Sequence, residues 1–126
     1  MRIALIGYGK MGKAIDALAP EQGVEVVARL GRNWKLSEIA EADVCIEFTT
    51  PTSALGNIER VLSAKKPLVI GTTGRMATTD AARRAEERLR IPVNAQTCTP
   101  DQWRDPQNWA LLIEIQQRPY VSVYPQ

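Results

Sequence analysis

The sequence predicts an α/β fold, a doubly wound parallel sheet with helices on both faces. Short runs of apolar and β-branched residues, which are typical of buried strands, recur through the first 95 residues. Stretches with apolar residues at helical spacing separate most of these runs. Because each intervening helix returns the chain to run in the same direction, this order favours a parallel sheet.

Five strands are predicted from the apolar runs. The first run ends at Gly7, the second is rich in valine, the third contains Cys45, and the fourth is closed by Gly71. In chain order, the predicted strands cover residues 2–6, 24–30, 43–48, 67–70 and 91–95.

Three helices and one shorter helical segment are predicted between the strands. Pro20 and Gly23 end the first helix. The shorter segment, residues 36–42, would be capped by Ser37 or by Asn33. The three predicted helices cover residues 10–19, 50–64 and 79–90. The side chains of the second helix expected to face the core are Leu55, Ile58, Val61 and Leu62.

The last part of the chain, residues 97–126, differs in character from residues 1–96, which we expect to form one domain. Residues 97–108 are rich in Pro, Asp, Gln and Trp and predict a loop. Residues 109–116 and 120–124 predict two strands, because polar and apolar side chains alternate in the second of them. The short link between the two strands favours an antiparallel hairpin at the C-terminal edge of the sheet, packed on the same domain.

Composition narrows the classes of function. The chain of 126 residues is 44% hydrophobic and 24% charged, which is typical of one globular domain. A net charge of +2 gives no reason to expect nucleic acid or an anionic membrane as partner. No apolar run has membrane-spanning length and no signal segment is visible, so we expect a cytoplasmic protein. With two cysteines that lack CxxC spacing and no histidine, we expect no metal site, and Cys45 should be a buried free thiol.

A glycine-rich loop follows the first predicted strand and runs into the first predicted helix. Gly7, Gly9 and Gly12 form the pattern GxGxxG within a strand–helix–strand unit of about 30 residues, a context that makes the pattern specific. Gly7 permits the turn, Gly9 lets the backbone approach a pyrophosphate, and Gly12 lets the helix pack close to the strand. The N–H groups and dipole at the helix start favour a bound phosphate. This pattern predicts a Rossmann-like domain that binds NADPH or NADH; a glycine-rich turn without a ligand is the alternative.

The end of the second strand bears on which cofactor is preferred. An NAD site places an acid about 20 residues after the glycine loop, where it binds the ribose 2′-hydroxyl. Here Arg29 occupies that place, and Glu25 lies too early in the strand. Arg29 and Arg32 would bracket a 2′-phosphate, since guanidinium matches phosphate geometry. We therefore favour NADPH over NADH; that both arginines are exposed loop residues is almost equally well supported.

Two further segments, residues 47–51 and 71–74, follow strands at the edge where α/β sheets bind ligands. Their hydroxyls and glycine amides suit a ribose or a nicotinamide carboxamide. The alternatives are helix capping by Thr49 or Thr50 and an ordinary turn at residues 71–74. Glu47 is a candidate proton donor by position alone, and a strand-end carboxylate that faces solvent or caps a helix is the better-supported interpretation.

Three stretches of the chain, residues 2–15, 42–51 and 67–74, together resemble dihydrodipicolinate reductase. Few other nicotinamide enzymes join a glycine loop to both Phe-Thr-Thr-Pro and Gly-Thr-Thr-Gly, and the resemblance covers about residues 1–75. That family reduces hydroxy-tetrahydrodipicolinate in diaminopimelate and lysine biosynthesis. The resemblance implies an oxidoreductase domain that positions NADPH or NADH for hydride transfer to a cyclic imine dicarboxylate.

The resemblance also implies which residues contact the cofactor. Arg29 would neighbour the adenine ribose, and Phe48 and Thr49 would lie beside the nicotinamide. The residues that would cradle the pyrophosphate are Gly7, Tyr8, Gly9, Lys10, Met11 and Gly12. The residues that would line the nicotinamide side are Gly71, Thr72 and Thr73.

The chain departs from the family in its second half. It contains no histidine and no Lys-x-Asp-Ala-Pro-Ser-Gly-Thr stretch, features that the family carries in its substrate domain. The catalytic residues are therefore unassigned, and we expect little or no turnover by this chain alone. Two alternatives remain open: a non-catalytic NADP(H)-binding module, such as a sensor or one subunit of a two-chain enzyme, and a structural or interaction protein or a chimera on a reductase-derived fold. An edge strand at residues 120–124 would also allow a homo-oligomer.

Overall fold

The computed structural model describes residues 1–70 and 93–95, together with Arg104, Pro106 and Trp109. Its strands are β1 (Arg2–Ile6), β2 (Glu25–Leu30), β3 (Val44–Glu47), β4 (Leu68–Ile70) and β5 (Val93–Ala95). They form one sheet in the order β2-β1-β3-β4-β5, and every neighbouring pair is parallel. The order reverses between β1 and β3, which is the switch point where sheets of this kind bind ligands. The predicted parallel α/β fold is confirmed.

The described helices are α1 (Lys10–Leu18) and α2 (Pro51–Ser63), with 3₁₀ helices at Ala19–Gln22 and Leu36–Ile39. The predicted bounds of α1 and α2 are correct to within one residue. The predicted helix over residues 79–90 lies outside the described residues. No helix in the described part of the chain is long and apolar enough to cross a membrane.

The two faces of the sheet are covered by different helices. Because successive side chains of a strand point to opposite faces, neighbouring residues of β1 pack against different helices. Ile3 and Leu5 of β1 pack with Ile15 of α1 on one face. Ala4 and Ile6 pack on the other face, against α2. Three of the four predicted inward residues of α2 are fully or almost fully buried, and each contributes about 1.5–3 kcal/mol by burial. They are Ile58, Val61 and Leu62; the side chain of Leu55 lies outside the described residues.

The prediction of the cap on the short segment after β2 was wrong. Lys35 is the residue that precedes this 3₁₀ helix, and its N–H donates to Oε1 of Glu38 at 2.8 Å. Asn33 instead adopts a left-handed conformation, with φ of 59°, in the turn out of β2. The carboxylate three residues into the segment replaced the cap that Ser37 or Asn33 was expected to supply.

The prediction for the region around Trp109 was also wrong. Pro106 and Trp109 are both helical, whereas the sequence predicted a loop over residues 97–108 and a strand from Trp109 onward. Trp109 is 3% exposed and packs in the core cluster on the α1 face. A short apolar run does not distinguish a strand from a buried helix by periodicity alone. The predicted hairpin strand at residues 120–124 lies outside the described residues.

Cys45 is a buried free thiol, as expected. Its burial in the centre of the sheet raises the pKa of the thiol to about 12. A thiol with this pKa stays protonated at physiological pH and behaves as a small apolar side chain.

Candidate functional site

The loop between β1 and α1 turns at Gly7. Gly7 has φ of 98°, a conformation that L side chains rarely adopt, and its N–H donates to the carbonyl of Leu30 at 2.8 Å. A Cβ at this position would lie 2.7 Å from the carbonyl carbon of Phe48 and still closer to its oxygen. Gly7 therefore fits the loop against both β2 and the residue that follows β3.

Gly12 sets how closely α1 approaches this loop. A Cβ at Gly12 would lie 3.3 Å from the carbonyl carbon of Gly7 and closer still to its oxygen. Gly12 is buried, although it belongs to the first turn of α1. The missing side chain lets the start of the helix pack directly on the turn, as the motif requires.

Gly9 differs from the other two glycines because no described part of the protein occupies the space beside it. It is the N-cap of α1, with φ of −90° and ψ of −148°, and no described heavy atom apart from those of its two chain neighbours lies within 4 Å of where its Cβ would stand. Packing against the rest of the described protein therefore does not account for glycine here. A group that fills this space from outside the described residues would account for it.

The start of α1 also offers hydrogen-bond donors. The first N–H groups of any α-helix have no acceptor within the helix, and the helix dipole is positive at this end. The first turn of α1 contains no acidic residue, and none of the described side chains caps it. Together with the open space at Gly9, these donors fit a pyrophosphate, which is the part of a dinucleotide that a helix N-terminus binds.

The loop after β3 is organised around Glu47, the last residue of the central strand. Glu47 is fully buried, and its carboxylate accepts hydrogen bonds from the N–H of Thr49, at 2.7 Å, and from the Thr49 hydroxyl. The interpretation of Glu47 as a carboxylate that faces solvent is therefore wrong. Phe48 donates its N–H to the carbonyl of Ile6 at 2.8 Å, which fastens the loop to β1.

A chain of hydrogen bonds continues from Thr49 into α2. The side-chain amide of Asn57 donates to the Thr49 hydroxyl at 3.2 Å and accepts from the indole N–H of Trp34 at 2.9 Å. Arg60 lies over the Trp34 ring at 4.0 Å from its centroid and donates to the Trp34 carbonyl at 2.5 Å. The turn after β2 is thus connected to the turn after β3 through α2, and both turns are fixed by side chains.

Thr50 occupies the N-cap position of α2, but its hydroxyl makes no hydrogen bond to the helix backbone. It bonds instead with the hydroxyls of Thr52, at 3.0 Å, and Ser53, at 3.2 Å. Capping of α2 by the side chain of Thr50, one of the two residues considered from sequence, is therefore not observed.

Tyr8, Asp16 and Arg29 form a polar cluster beside the glycine loop. Arg29 donates to Asp16 from Nε at 2.6 Å and from Nη2 at 3.0 Å, and the Tyr8 hydroxyl donates to the same carboxylate at 2.5 Å. Hydrogen bonding from Arg29 lowers the pKa of Asp16 below its ordinary value, and the Asp16 carboxylate raises the pKa of Tyr8. Arg29 is thus a paired cation rather than a free one.

The other site residues predicted from sequence lie as follows. Lys10 is exposed at the start of α1, and Met11 is half-buried against the core cluster on the α1 face. Phe48 is also half-buried against that cluster. Arg32 is exposed in the turn after β2. Gly71, Thr72 and Thr73 lie outside the described residues.

Sequence reasoning missed Asp16, Asn57 and Arg60. Asp16 carried one signal, since it lies one turn after Gly12 on the helix that starts at the glycine loop. The contacts of Asn57 and Arg60 with Trp34 join residues more than 20 positions apart, so no local sequence pattern predicts them.

Comparison with known families agrees with this geometry. The sequence model of the family described as dihydrodipicolinate reductase, N-terminus, matches residues 1–95. The chain belongs to the dihydrodipicolinate reductase family. It is a nucleotide-binding domain of the dihydrodipicolinate reductase kind, and the cofactor of that domain is a nicotinamide dinucleotide.

Curated relatives in this family carry the name 4-hydroxy-tetrahydrodipicolinate reductase. The protein from Zymomonas mobilis is 40% identical over 83 residues, which cover 59% of this chain and 33% of the relative. The protein from Christiangramia forsetii is 38% identical, over 59% of this chain and 32% of the relative. The protein from Staphylococcus epidermidis is 38% identical, over 62% of this chain and 36% of the relative. The chain therefore matches about a third of the length of each of these relatives.

Solved structures support the fold alone, because their sequence identity to the chain is low. A protein described as a homoserine dehydrogenase from Archaeoglobus fulgidus has a TM-score of 0.52 at 16% identity, covering 77% of this chain and 42% of that one. An archaeal flavodoxin has a TM-score of 0.50 at 13% identity, covering 92% of this chain and 96% of that one. Flavodoxin-like sheets share the strand order 2-1-3-4-5 seen here.

Proposed function

We propose that the chain is the cofactor half of an NAD(P)H-dependent reductase that acts on a cyclic imine dicarboxylate, in diaminopimelate and lysine biosynthesis. The observation that carries the proposal is the open space at Gly9, at the start of α1. The chain belongs to a family that is described as dihydrodipicolinate reductase. The names of the curated relatives support this substrate class.

In this proposal the glycine loop holds the pyrophosphate by backbone contacts. The N–H groups of Lys10, Met11 and Gly12 donate to phosphate oxygens, and the absent side chain at Gly9 makes room for them. Gly7, with its positive φ, fixes the turn that aims these donors.

The nicotinamide side of the site lies at the ends of β3 and β4. We propose that Phe48 and Thr49 contact the nicotinamide, and that Gly71, Thr72 and Thr73, which lie outside the described residues, also bind it. The bound nicotinamide supplies a hydride, while the protein sets its position and excludes water. Glu47 keeps the Thr49 backbone and hydroxyl in one orientation and so holds the loop after β3 in place.

The substrate and its proton donor are proposed to be held by residues other than these. Hydride transfer to an imine needs a positioned acceptor and a proton. The family's histidine pair and its Lys-x-Asp-Ala-Pro-Ser-Gly-Thr stretch do not occur in this sequence. We therefore propose that a further domain or a partner subunit supplies the substrate half. Cytoplasmic location and a homo-oligomer, both expected from the sequence, stay predictions.

We propose NADPH as the preferred cofactor. Arg29 lies near the end of β2, the part of such a sheet that contacts the adenosine ribose in dinucleotide-binding domains, and no residue at the tip of that strand is acidic. An arginine there favours the 2′-phosphate that distinguishes NADPH.

Calorimetric titration of the full chain with NADPH and with NADH tests the proposal. Gly9→Val should abolish binding of both nucleotides, because its side chain fills the space reserved for the pyrophosphate. Gly56→Val is the matched control, since Gly56 is exposed on α2 and, apart from its chain neighbours and the nearby backbone of its own helix, has no described heavy atom within 4 Å of where a Cβ would stand. Failure of the folded wild-type chain to bind either nucleotide would overturn the proposal.

A further inference from the structure

The ion pair between Arg29 and Asp16 has a particular geometry. Arg29 engages the carboxylate through Nε and Nη2, which together form one edge of the guanidinium plane. These bonds use two of its five N–H donors and leave the edge made by Nη1 and the other Nη2 hydrogen. The Arg29 side chain is 48% exposed, and we take this second edge to be the part that a ligand can reach while the pair stays intact.

The negative charge of Asp16 offsets the positive charge of Arg29 within the cluster. Asp16 accepts hydrogen bonds from both Arg29 and Tyr8, and these bonds favour its ionised form. Its side chain is 17% exposed, so water screens it less than it screens Arg29. The unit positive charge of Arg29 is therefore largely cancelled at the place where it would discriminate between cofactors.

We propose that Asp16 is a specificity-determining residue, which limits the preference for a 2′-phosphorylated cofactor by sharing Arg29. The inference rests on the proposed function. The free edge of Arg29 binds the adenosine 2′-phosphate, while the Asp16 carboxylate behind it opposes the phosphate charge. The cluster thus accepts both cofactors and favours NADPH only by a few-fold.

Two effects of removing the carboxylate act in opposite directions. Arg29 would lose a partner that fixes its orientation, which weakens phosphate binding. Against this, the 2′-phosphate carries nearly two negative charges, and the cluster would gain a full unit of uncompensated positive charge. The substitution removes the repulsion between Asp16 and the phosphate, and it also removes the negative charge that cancels the charge of Arg29. We therefore expect the gain in electrostatic attraction to exceed the loss caused by the less fixed orientation of Arg29.

The experiment compares two small ligands that differ only in the 2′-phosphate: adenosine 2′,5′-bisphosphate and adenosine 5′-monophosphate. Calorimetry gives the ratio of their affinities for the full chain. Asp16→Asn should raise that ratio by about tenfold in favour of the bisphosphate. Glu41→Gln is the control for net charge, since Glu41 is an exposed acid that precedes β3 at the opposite edge of the sheet. It should leave the ratio unchanged.

Thermal unfolding shows whether Asp16→Asn is folded; if it is not, Asp16→Ala replaces it, because alanine favours the helix at this position. A ratio that stays the same or falls in the folded variant overturns the inference. The proposed function fails in a different way, by absence of NADPH and NADH binding to the wild-type chain. A rise of similar size in Glu41→Gln would assign the effect to net charge and would also overturn the role of Asp16.

Discussion

The loops after β1 and after β3 lie side by side at the carboxyl edge of the sheet, but they are built by different means. The first loop depends on missing side chains: Gly7 and Gly12 allow close packing, and Gly9 leaves space. The second loop depends on side chains that are present, with Glu47 and Thr49 bonded to each other. A loop that must expose its backbone N–H groups to a ligand uses glycine, whereas a loop that forms a wall uses a buried polar network.

The largest expected loss of stability follows from disturbing the close packing of the first loop. Gly7→Ala should lower the free energy of unfolding by about 3 kcal/mol or more, because it combines a strained φ with overlap on the Phe48 carbonyl. Urea denaturation measures this change. Gly9→Ala is the matched variant in the same loop and should change stability by less than about 1 kcal/mol. Equal losses in the two variants would contradict the distinction drawn between these glycines.

The next effect is on the second loop. Glu47→Ala should lower the free energy of unfolding by about 2–3 kcal/mol, because the Thr49 N–H loses its acceptor in a buried place. Glu41→Ala, at an exposed acid, is the control and should have little effect. If Glu47→Ala unfolds at the same urea concentration as the wild type, the buried network does not hold this wall.

A smaller effect is expected at Asn57, which joins the two turns. Asn57→Ala should cost about 1–2 kcal/mol, because the Trp34 indole N–H loses its acceptor and the Thr49 hydroxyl loses a donor. Urea denaturation gives the free energy, and tryptophan fluorescence of the folded protein reports on the Trp34 environment. Glu59→Ala, an exposed position on the same helix, is the control. An unchanged fluorescence spectrum together with unchanged stability would contradict the connection.

The smallest effect is the pH dependence of the Tyr8–Asp16–Arg29 cluster. The pKa of Asp16 is lowered by hydrogen bonding from Arg29, so its contribution to stability is fully present above its ordinary pKa of about 4. That contribution is lost as pH falls through the lower, folded-state pKa. Because Arg29 is half-exposed, we expect the ion pair to contribute only about 0.5 kcal/mol to the free energy of unfolding. Unfolding titrations between pH 7 and strongly acidic pH should show this loss in the wild type and not in Asp16→Asn; identical pH curves would be evidence against it.

Much of the fold was predictable from sequence because its signals are local. The strands up to β4 and both described helices follow from apolar runs and from helical spacing, and the glycine loop follows from three residues in a known context. The helical conformation at Trp109 was not predictable, since its burial depends on side chains from β1 and α1 that are distant in sequence.

The candidate site was predictable where the backbone builds it and not where side chains do. The spacing of Gly7, Gly9 and Gly12 predicts the glycine loop directly. Glu47 looked like a surface carboxylate because the end of a strand usually meets solvent, whereas here the loop folds back and buries it. The pairing of Arg29 with Asp16 joins β2 to α1 and required the tertiary structure.

The most direct test of the contrast between the two loops is a ¹⁵N-resolved NMR titration of the full chain with NADPH. We predict that the backbone amide signals of Gly9, Lys10, Met11 and Gly12 shift strongly, while the Trp34 indole and the Asn57 side-chain amide keep their positions. That result would show an open loop that receives the pyrophosphate beside a wall that is already formed. Binding that leaves the four glycine-loop amides unmoved would contradict the account.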